Sequence, residues 1–382
     1  MTGIKLKKLL FIVNVDWFFI SHRLPIAIDA LKKGYTVTIA CHFTSHKQEL
    51  IDMGFNVLEI PFSRSGAGIL SELNTLKCIR KVINDVNPSL IHAVTIKPVL
   101  YTGLVLKSIN RNIPFVAAIS GLGYVFTAST LRAKLTRFIA SAFYKVALSQ
   151  KYKMVIFQNT SDENILTKVA KLESSDKFLI KGSGADLSVY NFSPENLDNR
   201  TSIVMACRLL REKGVYVYVD AAKLVKEHFP EAEFLLVGTP DLENPNTVKQ
   251  VEIDQWVSDG TIKYLGHRND IPSIFANSNI VCLPSFYGEG VPKVLIEAAA
   301  CGRAIVTTDN PGCKDAIINE VTGIAVPVRD AQSLALAIIK LLDDPALRIS
   351  MGKKGRSFAE QEFDVRAVVT KHLDIYNELL QK

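Results

Sequence analysis

The strongest chemical pattern in the sequence is a pair of glutamates, Glu289 and Glu297, that lie eight residues apart. An apolar strand pattern at 280–283 precedes them, Glu289 is flanked by glycines, and a helical pattern follows at 294–300. Both carboxylates can accept hydrogen bonds from hydroxyl groups, while the backbone amides of 290–294 point at a phosphate. Hydroxyls and phosphate together indicate a sugar nucleotide. The alternative is one helix-capping glutamate and one solvated glutamate.

Two cations form the second pattern. Arg208 comes just past the strand pattern at 202–206, and Lys213 with Gly214 opens the next helical pattern. A strand end and a helix start that carry cations and backbone amides form a suitable site for a diphosphate. The alternative is that both cations are simply solvated at the surface. Cations interact unfavourably with a helix N-terminus, so this alternative is weaker than usual.

The elements that must position these residues are short apolar strands alternating with helical patterns. The first series of predicted strands is 9–15, 36–41, 56–60, 90–92, 115–119, 154–157 and 178–180. The second series is 202–207, 233–237, 261–264, 280–283, 304–307 and 323–326. Continuously apolar strands predict parallel sheets covered on both faces. We therefore expect an α/β protein with two doubly wound Rossmann-like domains, whose ligands bind beyond the carboxyl ends of the strands in a cleft between the domains.

The predicted domain boundaries follow from these two series. We expect residues 1–185 to form an N-terminal Rossmann-like domain, 186–201 a polar linker, and 202–362 a C-terminal Rossmann-like domain. Residues 363–382 have helical spacing and no strand to follow, so we expect a C-terminal helix that crosses back to the N-terminal domain.

Length, composition and charge exclude several classes of protein. The 382 residues, 48% hydrophobic and 22% charged, exclude a disordered, collagen-like or coiled-coil chain. Six scattered cysteines without CxxC spacing favour a reduced, cytoplasmic protein without a zinc site. No apolar run reaches the length of about 18 residues that spans a membrane. The first 187 residues carry a net charge of +12 and the remainder −5, which indicates an anionic partner for the first half.

Much of this positive charge lies in the acid-free segment 124–153, with basic residues at 132, 134, 137, 145, 151 and 153. Apolar residues at 131, 135, 138, 142 and 146 form one helical stripe. A basic amphipathic helix is typical of a protein that binds an anionic membrane surface. The alternative is that the stripe packs on the sheet and leaves a solvated basic face. Both can hold if the stripe packs inward and the basic rim contacts lipid.

The pattern EGVPKVLIEAAACG at 289–302, preceded by Arg208, Lys213 and Gly214, resembles the retaining glycosyltransferases of family 4. The resemblance covers nearly the whole chain, with Leu-Val-Gly at 236–238 and Leu-Gly at 265–266 in the expected order. It implies the two-domain glycosyltransferase-B fold and activity without a metal or other cofactor. It also implies that the N-terminal domain, 1–185, binds the acceptor and that the C-terminal domain, 202–362, binds the nucleotide sugar.

The resemblance also implies roles for single residues. Arg208 and Lys213 would bind the donor diphosphate and act in catalysis. Glu297 would bind the ribose hydroxyls, and Glu289 would contact the transferred sugar as a catalytic group. The remaining donor-binding candidates lie in the same motifs: Gly238, His267, Arg268, Gly290, Val291, Pro292 and Val294.

The N-terminal half departs from the general family pattern in two places. A bulky run from Asp16 and Trp17 to His22 stands where many relatives carry a glycine pair, so it either forms an acceptor surface or is a buried staple. Ser120 and Gly121 stand where many relatives place a histidine. Both variants resemble the subgroup that acts on lipid-linked saccharides in bacterial surface polysaccharide assembly. The acceptor-binding candidates are Asp16, Trp17, His22, His92, Ser120 and Gly121, with a core or capping role as the alternative for each histidine.

Together these features predict a retaining transferase with a UDP-sugar donor and an undecaprenyl-diphosphate-linked saccharide acceptor. Its product would belong to O-antigen, capsule or glycan assembly, and the transferred sugar would be an N-acetylhexosamine or a hexose. We expect it to lie on the inner face of the cytoplasmic membrane. The alternatives are a sugar-nucleotide epimerase of the same fold and a basic nucleic-acid-binding protein. Against the latter, no stacking aromatics are interleaved with the basic residues, so we expect no nucleic-acid partner.

Overall fold

The computed structural model describes residues 7–62, 68–123, 131–195, 201–242 and 244–382. The chain forms two compact units, each with its own parallel sheet. Unit 1 comprises Met1–Ser183 and Arg366–Lys382, and unit 2 comprises Gly184–Val365. The described residues of the predicted linker therefore group with unit 2, where Glu195 forms a buried ion pair with Arg348 at 2.5 Å.

Unit 1 contains seven parallel strands in the order β3-β2-β1-β4-β5-β6-β7. The strands are β1 (Lys8–Val15), β2 (Thr36–His42), β3 (Asn56–Glu59), β4 (Leu90–Val94), β5 (Phe115–Ile119), β6 (Lys153–Phe157) and β7 (Lys177–Leu179). The described helices are α1 (Asp16–His22), α2 (Leu24–Lys32), α3 (Lys47–Asp52), α4 (Ile69–Val86), α5 (Ile96–Ile109), α6 (Leu131–Ala147), α7 (Thr160–Ala170) and the C-terminal α14 (Val365–Gln381).

Unit 2 contains six parallel strands in the order β10-β9-β8-β11-β12-β13. The strands are β8 (Ser202–Ala206), β9 (Glu233–Val237), β10 (Lys263–Gly266), β11 (Ile280–Leu283), β12 (Ala304–Thr308) and β13 (Gly323–Val326). The helices are α8 (Val215–His228), α9 (Gln250–Ser258), α10 (Ile271–Ala276), α11 (Lys293–Ala300), α12 (Ala331–Asp343) and α13 (Pro345–Glu362).

The central strands explain why both sheets form. Every residue of β4, β5, β8, β11 and β12 is buried, because helices cover both faces of each sheet. The edge strands β3 and β10 are more polar and more exposed. The predicted fold class, with two Rossmann-like parallel sheets, is confirmed.

In each sheet the strand order reverses at one point, between β1 and β4 in unit 1 and between β8 and β11 in unit 2. Loops diverge from the carboxyl ends of two neighbouring strands at such a point and leave room for a ligand. The chemical residues predicted from the sequence follow these strands: Asp16 follows β1, Arg208 follows β8, and Glu289 follows β11. The topology therefore brings Arg208, Lys213 and Glu289 to one edge of unit 2.

Candidate active site

A buried ion pair joins the two loops at the reversal point of unit 2. The Lys213 ammonium lies 2.5 Å from Glu289 Oε2, and both side chains are largely buried. Burial alone would lower the pKa of Lys213, but the adjacent Glu289 carboxylate outweighs that effect and raises it. Lys213 is therefore a firmly charged cation. An ammonium has three N–H donors, so Lys213 can bind Glu289 and still donate to a phosphate.

The loop that carries Glu289 is fixed at several points. The fully buried Ser285 hydroxyl contacts Glu289 Oε1 and lies 3.1 Å from the Glu212 carbonyl, which also accepts from the Phe286 amide at 3.0 Å. From the next loop, Thr308 donates to the Ser285 carbonyl and Asn310 to the Tyr287 carbonyl. These contacts hold the Glu289 carboxylate in place before any ligand binds, which is what a catalytic site requires.

Two glycines allow the loops to approach each other this closely. Gly214 has φ +84°, and a Cβ there would lie 2.1 Å from the Pro284 carbonyl oxygen. Gly312 has φ +86°, and a Cβ there would lie 2.0 Å from the Gly290 carbonyl oxygen. Any side chain at either position would push the Lys213 turn or the loop after β12 away from Glu289.

Glu297 lies in the second turn of α11 and is 8% exposed. Its carboxylate pairs with Lys293 at 3.4 Å and accepts a hydrogen bond from the Tyr190 hydroxyl. Burial raises the pKa of Glu297, although Lys293 and Tyr190 act in the opposite direction. The carboxylate is thus held in place by one residue of its own helix and one residue of the segment predicted as a linker.

Arg208 forms the most exposed ion pair of the site. Its guanidinium Nη1 lies 3.2 Å from Asp241 Oδ2, and half of the Arg208 side chain is exposed. Asp241 follows β9, so it reaches Arg208 from the neighbouring strand. A pair this exposed is weak, and a phosphate can replace the carboxylate.

The other predicted donor residues lie at the same edge of the sheet. Gly238 follows β9, and its amide donates to the Gly266 carbonyl at 2.8 Å. His267 and Arg268 are exposed after β10, where Arg268 forms a bidentate pair with Asp270 at 2.6 and 2.8 Å. Strand β10 is two positions from β8, so the two strands lie about 10 Å apart. Gly290, Val291 and Pro292 lead into α11, and Val294 lies in its first turn.

Asp16 has a different role from the predicted acceptor contact. It is fully buried, and its carboxylate accepts from the amides of Thr44, Ser45 and His46 at 2.8 to 3.0 Å. The Thr44 hydroxyl and the Trp17 amide donate to its other oxygen. Burial alone would raise the pKa of Asp16, but these hydrogen bonds lower it to about 2. The prediction is therefore corrected: Asp16 fixes the loop after β2.

Trp17 and His22 are half-buried at the two ends of α1. The His22 ring stacks on Phe18 with centroids 4.1 Å apart, and its Nδ1 lies 3.2 Å from the Phe18 carbonyl. Phe19, from the same run, is fully buried against Phe11. The run thus contributes one side chain to the core and keeps Trp17 and His22 partly accessible.

His92 is corrected as an acceptor contact because it is fully buried in the sheet of unit 1. Its Nδ1 lies 2.5 Å from the Tyr376 hydroxyl of α14, and its ring stacks on His372 at 5.7 Å. Burial, His372 and Arg23 all lower the pKa of His92. The histidine is therefore neutral and holds α14 against β4.

Ser120 and Gly121 follow β5 at the carboxyl edge of unit 1. Ser120 is half-buried, Gly121 is buried, and Ser120 Oγ lies 3.5 Å from Arg23 Nη2. Arg23 is 2% exposed. Sequence reasoning missed this guanidinium because nothing in its local pattern distinguishes it from a surface arginine.

Comparison with known proteins identifies the chain. Residues 8–159 match the family described as glycosyl transferase 4-like, and residues 190–358 match glycosyl transferases group 1. The N,N'-diacetylbacillosaminyl-diphospho-undecaprenol alpha-1,3-N-acetylgalactosaminyltransferase of Campylobacter jejuni is 30% identical over 373 residues, which cover 94% of this chain and 95% of that protein. The chain belongs to the group 1 glycosyltransferases.

Two further similarities extend the comparison. The transferase is 22% identical over 358 residues to an Escherichia coli UDP-Gal:alpha-D-GlcNAc-diphosphoundecaprenol alpha-1,3-galactosyltransferase, with 91% of this chain and 90% of that protein covered. The crystal structure of Anabaena HepE in complex with UDP superposes with a TM-score of 0.76 at 19% identity, covering 97% of this chain and all of that one. The predicted family is confirmed, and the transferase shares the fold of HepE.

The basic helix of the transferase is only partly described, since 124–130 and the side chains of 131–135 lie outside the described residues. In the rest of α6, Phe138 is 75% exposed, and Ile139, Phe143 and Val146 are also exposed. The buried face of α6 consists instead of Tyr144 and Ala147. The expectation that the apolar stripe packs inward is therefore corrected for its described part.

The described part of the transferase holds neither a metal-binding cluster nor a membrane-spanning helix. No group of three or more His, Cys, Asp or Glu side chains converges there in a way that could hold a metal ion. None of the described helices is both long enough and apolar enough to cross a membrane.

Three residues that hold the site of the transferase were missed by sequence reasoning. Ser285 lies two residues past the end of the buried strand β11, which is a signal that could have been used. Asp241 and Tyr190 have no local signal, because they reach Arg208 and Glu297 from distant parts of the sequence.

Proposed function

We propose that this transferase moves a sugar from a UDP-sugar to a hydroxyl of an undecaprenyl-diphosphate-linked saccharide, with retention at the anomeric carbon. The sugar would be an N-acetylhexosamine or a hexose, and the product would enter O-antigen, capsule or glycan assembly. The observation that carries the proposal is the buried Lys213–Glu289 pair, held by Ser285 at the reversal point of unit 2. The relatives named for lipid-linked diphosphate acceptors support the acceptor class.

The diphosphate of the donor binds at Lys213 and Arg208 in this proposal. Lys213 is charged and its position is fixed, while Arg208 exchanges Asp241 for a phosphate oxygen. The amides of Gly290, Val291, Lys293 and Val294 add donors at the start of α11. As the bond from the sugar to the diphosphate breaks, negative charge grows on the leaving phosphate, and these cations stabilise it.

The rest of the donor is bound by residues on either side. Glu297, held by Tyr190 and Lys293, accepts hydrogen bonds from the ribose, and the loop with His267 and Arg268 borders the base. Glu289 orients the hydroxyls of the transferred sugar. None of the described groups at this edge is arranged as a nucleophile with its own base. We therefore propose that the acceptor hydroxyl bonds to the anomeric carbon on the face from which the diphosphate leaves, and that its proton passes to the departing phosphate oxygen.

Unit 1 binds the acceptor and contacts an anionic membrane in this proposal. Apolar side chains are exposed on α6 and also at the start of α4, where Ile69 and Leu70 are at least 80% exposed. Arg137 and Lys145 on α6 add positive charge. Exposed apolar side chains flanked by cations are typical of proteins that dock on lipid head groups. This supports a peripheral location on the inner face of the cytoplasmic membrane.

Transfer is tested with a panel of nucleotide sugars. A true donor raises the unfolding temperature because it binds only the folded chain. The donor is then incubated with membrane lipids that carry diphosphate-linked saccharides, and the mass of the product lipid is measured. A gain of one sugar supports the proposal. Conversion of the donor to an isomer without acceptor would indicate an epimerase, and the absence of both would contradict the proposal.

Membrane contact is tested by flotation with vesicles that contain anionic lipid or only zwitterionic lipid. We expect binding to the anionic vesicles alone, and a loss of binding in the double variant Phe138→Ser, Phe143→Ser. Leu336→Ser is the matched control, because Leu336 is 58% exposed on α12 of unit 2. Equal flotation of the double variant and the wild type would contradict the proposed surface.

A further inference from the structure

A buried cation to which the described residues offer no carboxylate lies beneath the carboxyl edge of unit 1. Arg23, between α1 and α2, is 2% exposed, and its Nη1 donates to the His22 carbonyl at 2.8 Å. Among the described residues, no carboxylate lies within ion-pair distance of Arg23, and its Nε has no hydrogen-bond partner. Burial lowers the pKa of Arg23 to about 10, so it is still charged at neutral pH.

Such an uncompensated charge is costly, because no counter-ion replaces the water that burial removes from the guanidinium. The groups that pack around Arg23 do not offset its charge. His92 and His372 are neutral, and their pKa values are lowered in part by Arg23 itself. Tyr376, which interacts electrostatically with Arg23, is kept uncharged because burial raises its pKa. The positive field is therefore available to an anion that approaches the edge of the sheet.

Ser120 is the group through which this charge reaches the surface. Arg23 Nη2 lies 3.5 Å from Ser120 Oγ, and Ser120 is half-buried. A hydroxyl that accepts from a guanidinium keeps its own proton for another acceptor, and it becomes a stronger donor. Within the described chain, the Ser120 proton has no acceptor. The contact is long, as catalytic hydrogen bonds often are before substrate binds.

The neighbouring strand places further donors at this edge. The Thr95 amide, directly after β4, donates to the Ala118 carbonyl at 3.1 Å, so the start of α5 lies beside the end of β5. A 14-residue helix directs partial positive charge toward its first turn. The Ser120 hydroxyl and this helix start therefore favour negative charge at the same edge.

We propose that Ser120 binds a phosphate oxygen of the acceptor's diphosphate, and that Arg23 is a positioning residue that polarises the Ser120 hydroxyl. This deepens the proposed function and rests on it. The donor diphosphate already has its own cations in unit 2, Lys213 and Arg208. A diphosphate-linked acceptor brings a second diphosphate, which needs a binding group of its own. The Arg23–Ser120 pair then allows unit 1 to bind the acceptor diphosphate independently of the donor diphosphate bound by unit 2.

The test compares two diphosphates. Geranyl diphosphate represents the acceptor, UDP represents the donor, and geraniol controls for contact with the prenyl chain. We expect Ser120→Ala to weaken the binding of geranyl diphosphate about 10-fold or more, because a charge-assisted hydrogen bond is lost. Ser120→Thr keeps the hydroxyl and should restore affinity. Arg23→Lys keeps the charge but loses the donor fork, so we expect an intermediate loss. The affinity for UDP should change less than 2-fold in all three variants.

Lys213→Ala should give the reverse pattern, with affinity lost for UDP and kept for geranyl diphosphate. Thr102→Ala, a buried hydroxyl elsewhere in unit 1, is the control for general damage and should change neither affinity. Unchanged geranyl diphosphate binding in Ser120→Ala, or a loss confined to UDP, would overturn the assignment. An equal loss for both ligands, or equal loss in Ser120→Thr and Ser120→Ala, would also overturn it. A failure of the wild type to transfer any sugar would contradict the proposed function and leave this binding result separate.

Discussion

The carboxyl edges of the two sheets differ in how charge is balanced. In unit 2, Lys213 faces Glu289 and Arg208 faces Asp241. In unit 1, the Asp16 carboxylate is satisfied by amides and a hydroxyl, while Arg23 has no carboxylate partner among the described residues. The exposed Arg208 can exchange its carboxylate for a phosphate at little cost, and Lys213 can donate to a phosphate while it keeps Glu289. An unpaired cation instead favours whatever anion arrives. Unit 2 is therefore suited to a phosphate that replaces the Asp241 carboxylate at Arg208, and unit 1 is suited to an anion that supplies the negative charge Arg23 lacks.

The largest expected effect is on the buried pair of unit 2. Lys213→Ala removes the fixed phosphate cation and leaves the Glu289 carboxylate buried without its ammonium, so kcat/KM should fall about 100- to 1000-fold. The rate of sugar transfer measures it, and Lys213→Arg should retain part of the activity. Lys263→Ala is the matched control, because Lys263 forms an exposed pair with Glu233 at 2.5 Å. If Lys213→Ala keeps a third of the activity, the Lys213 ammonium does not stabilise the charge on the leaving phosphate.

The next effect concerns the satisfied carboxylate of unit 1. Asp16→Ala leaves the Thr44, Ser45 and His46 amides without their acceptor and should lower the free energy of unfolding by about 3 kcal/mol. Urea denaturation measures the loss. Because the folded pKa is about 2, below the ordinary value of 3.8, this contribution is present above pH 3.8 and is lost as the pH falls toward 2. Asp29→Ala, at an exposed pair with Lys33, should change stability by less than about 1 kcal/mol. Equal losses in both variants would show that Asp16 does not anchor the loop.

A third effect tests whether unit 1 resists added positive charge around Arg23. The pKa of His372 is lowered from 6.5 to about 3 by burial and by Arg23. The unfolded chain therefore binds more protons below pH 6.5, so this part of the stability is complete above pH 6.5 and falls as the pH drops. The expected slope is about 1.4 kcal/mol per pH unit for each such histidine. His372→Gln should remove one histidine's share of this pH-dependent loss of stability between roughly pH 6 and 4, because that range lies between the ordinary and the folded pKa of His372.

The control for this slope is His228→Gln in unit 2, where His228 is exposed at the end of α8. Unfolding is followed by denaturant titration at each pH, with both variants compared to the wild type. An unchanged slope in His372→Gln would mean that the buried cluster does not oppose protonation, and the contrast between the two units would lose its support in unit 1.

The sequence was sufficient for the elements but not for the contacts between them. Strands at 115–119, 233–237, 280–283 and 323–326 were predicted with their observed bounds, because a strand buried on both faces is a continuous apolar run. The apolar runs give the strands in chain order, but not which strands are neighbours in the sheet. The strand order and the two reversal points can be expected only from the general rules for doubly wound sheets. The Lys213–Glu289 pair could not be derived, since nothing in either motif states that the loops after β8 and β11 meet at that distance.

The orientation of α6 shows the same limit. Periodicity identified a stripe that includes Phe138 and Val146, but periodicity does not say which face meets the sheet. Tyr144 and Ala147 pack inward, beside α5. Ala147 can come this close to α5 because residue 103 of that helix is a glycine, where a Cβ would collide with Ala147. Asp16 was likewise assigned to the acceptor because its real partners, the amides of the loop after β2, belong to another part of the chain.

The smallest effect distinguishes exposed from buried pairs within unit 2. Asp241→Ala frees Arg208 from a carboxylate that is itself only 17% exposed, while half of the Arg208 side chain is exposed. An exposed pair contributes about 0.2 to 1 kcal/mol, so the unfolding free energy should change by no more than that. Since a phosphate would have displaced Asp241, UDP should bind at least as tightly as to the wild type, as calorimetry can measure. A clear loss of UDP affinity would mean that Asp241 orients Arg208 for the phosphate, and that this pair is as essential as Lys213 with Glu289.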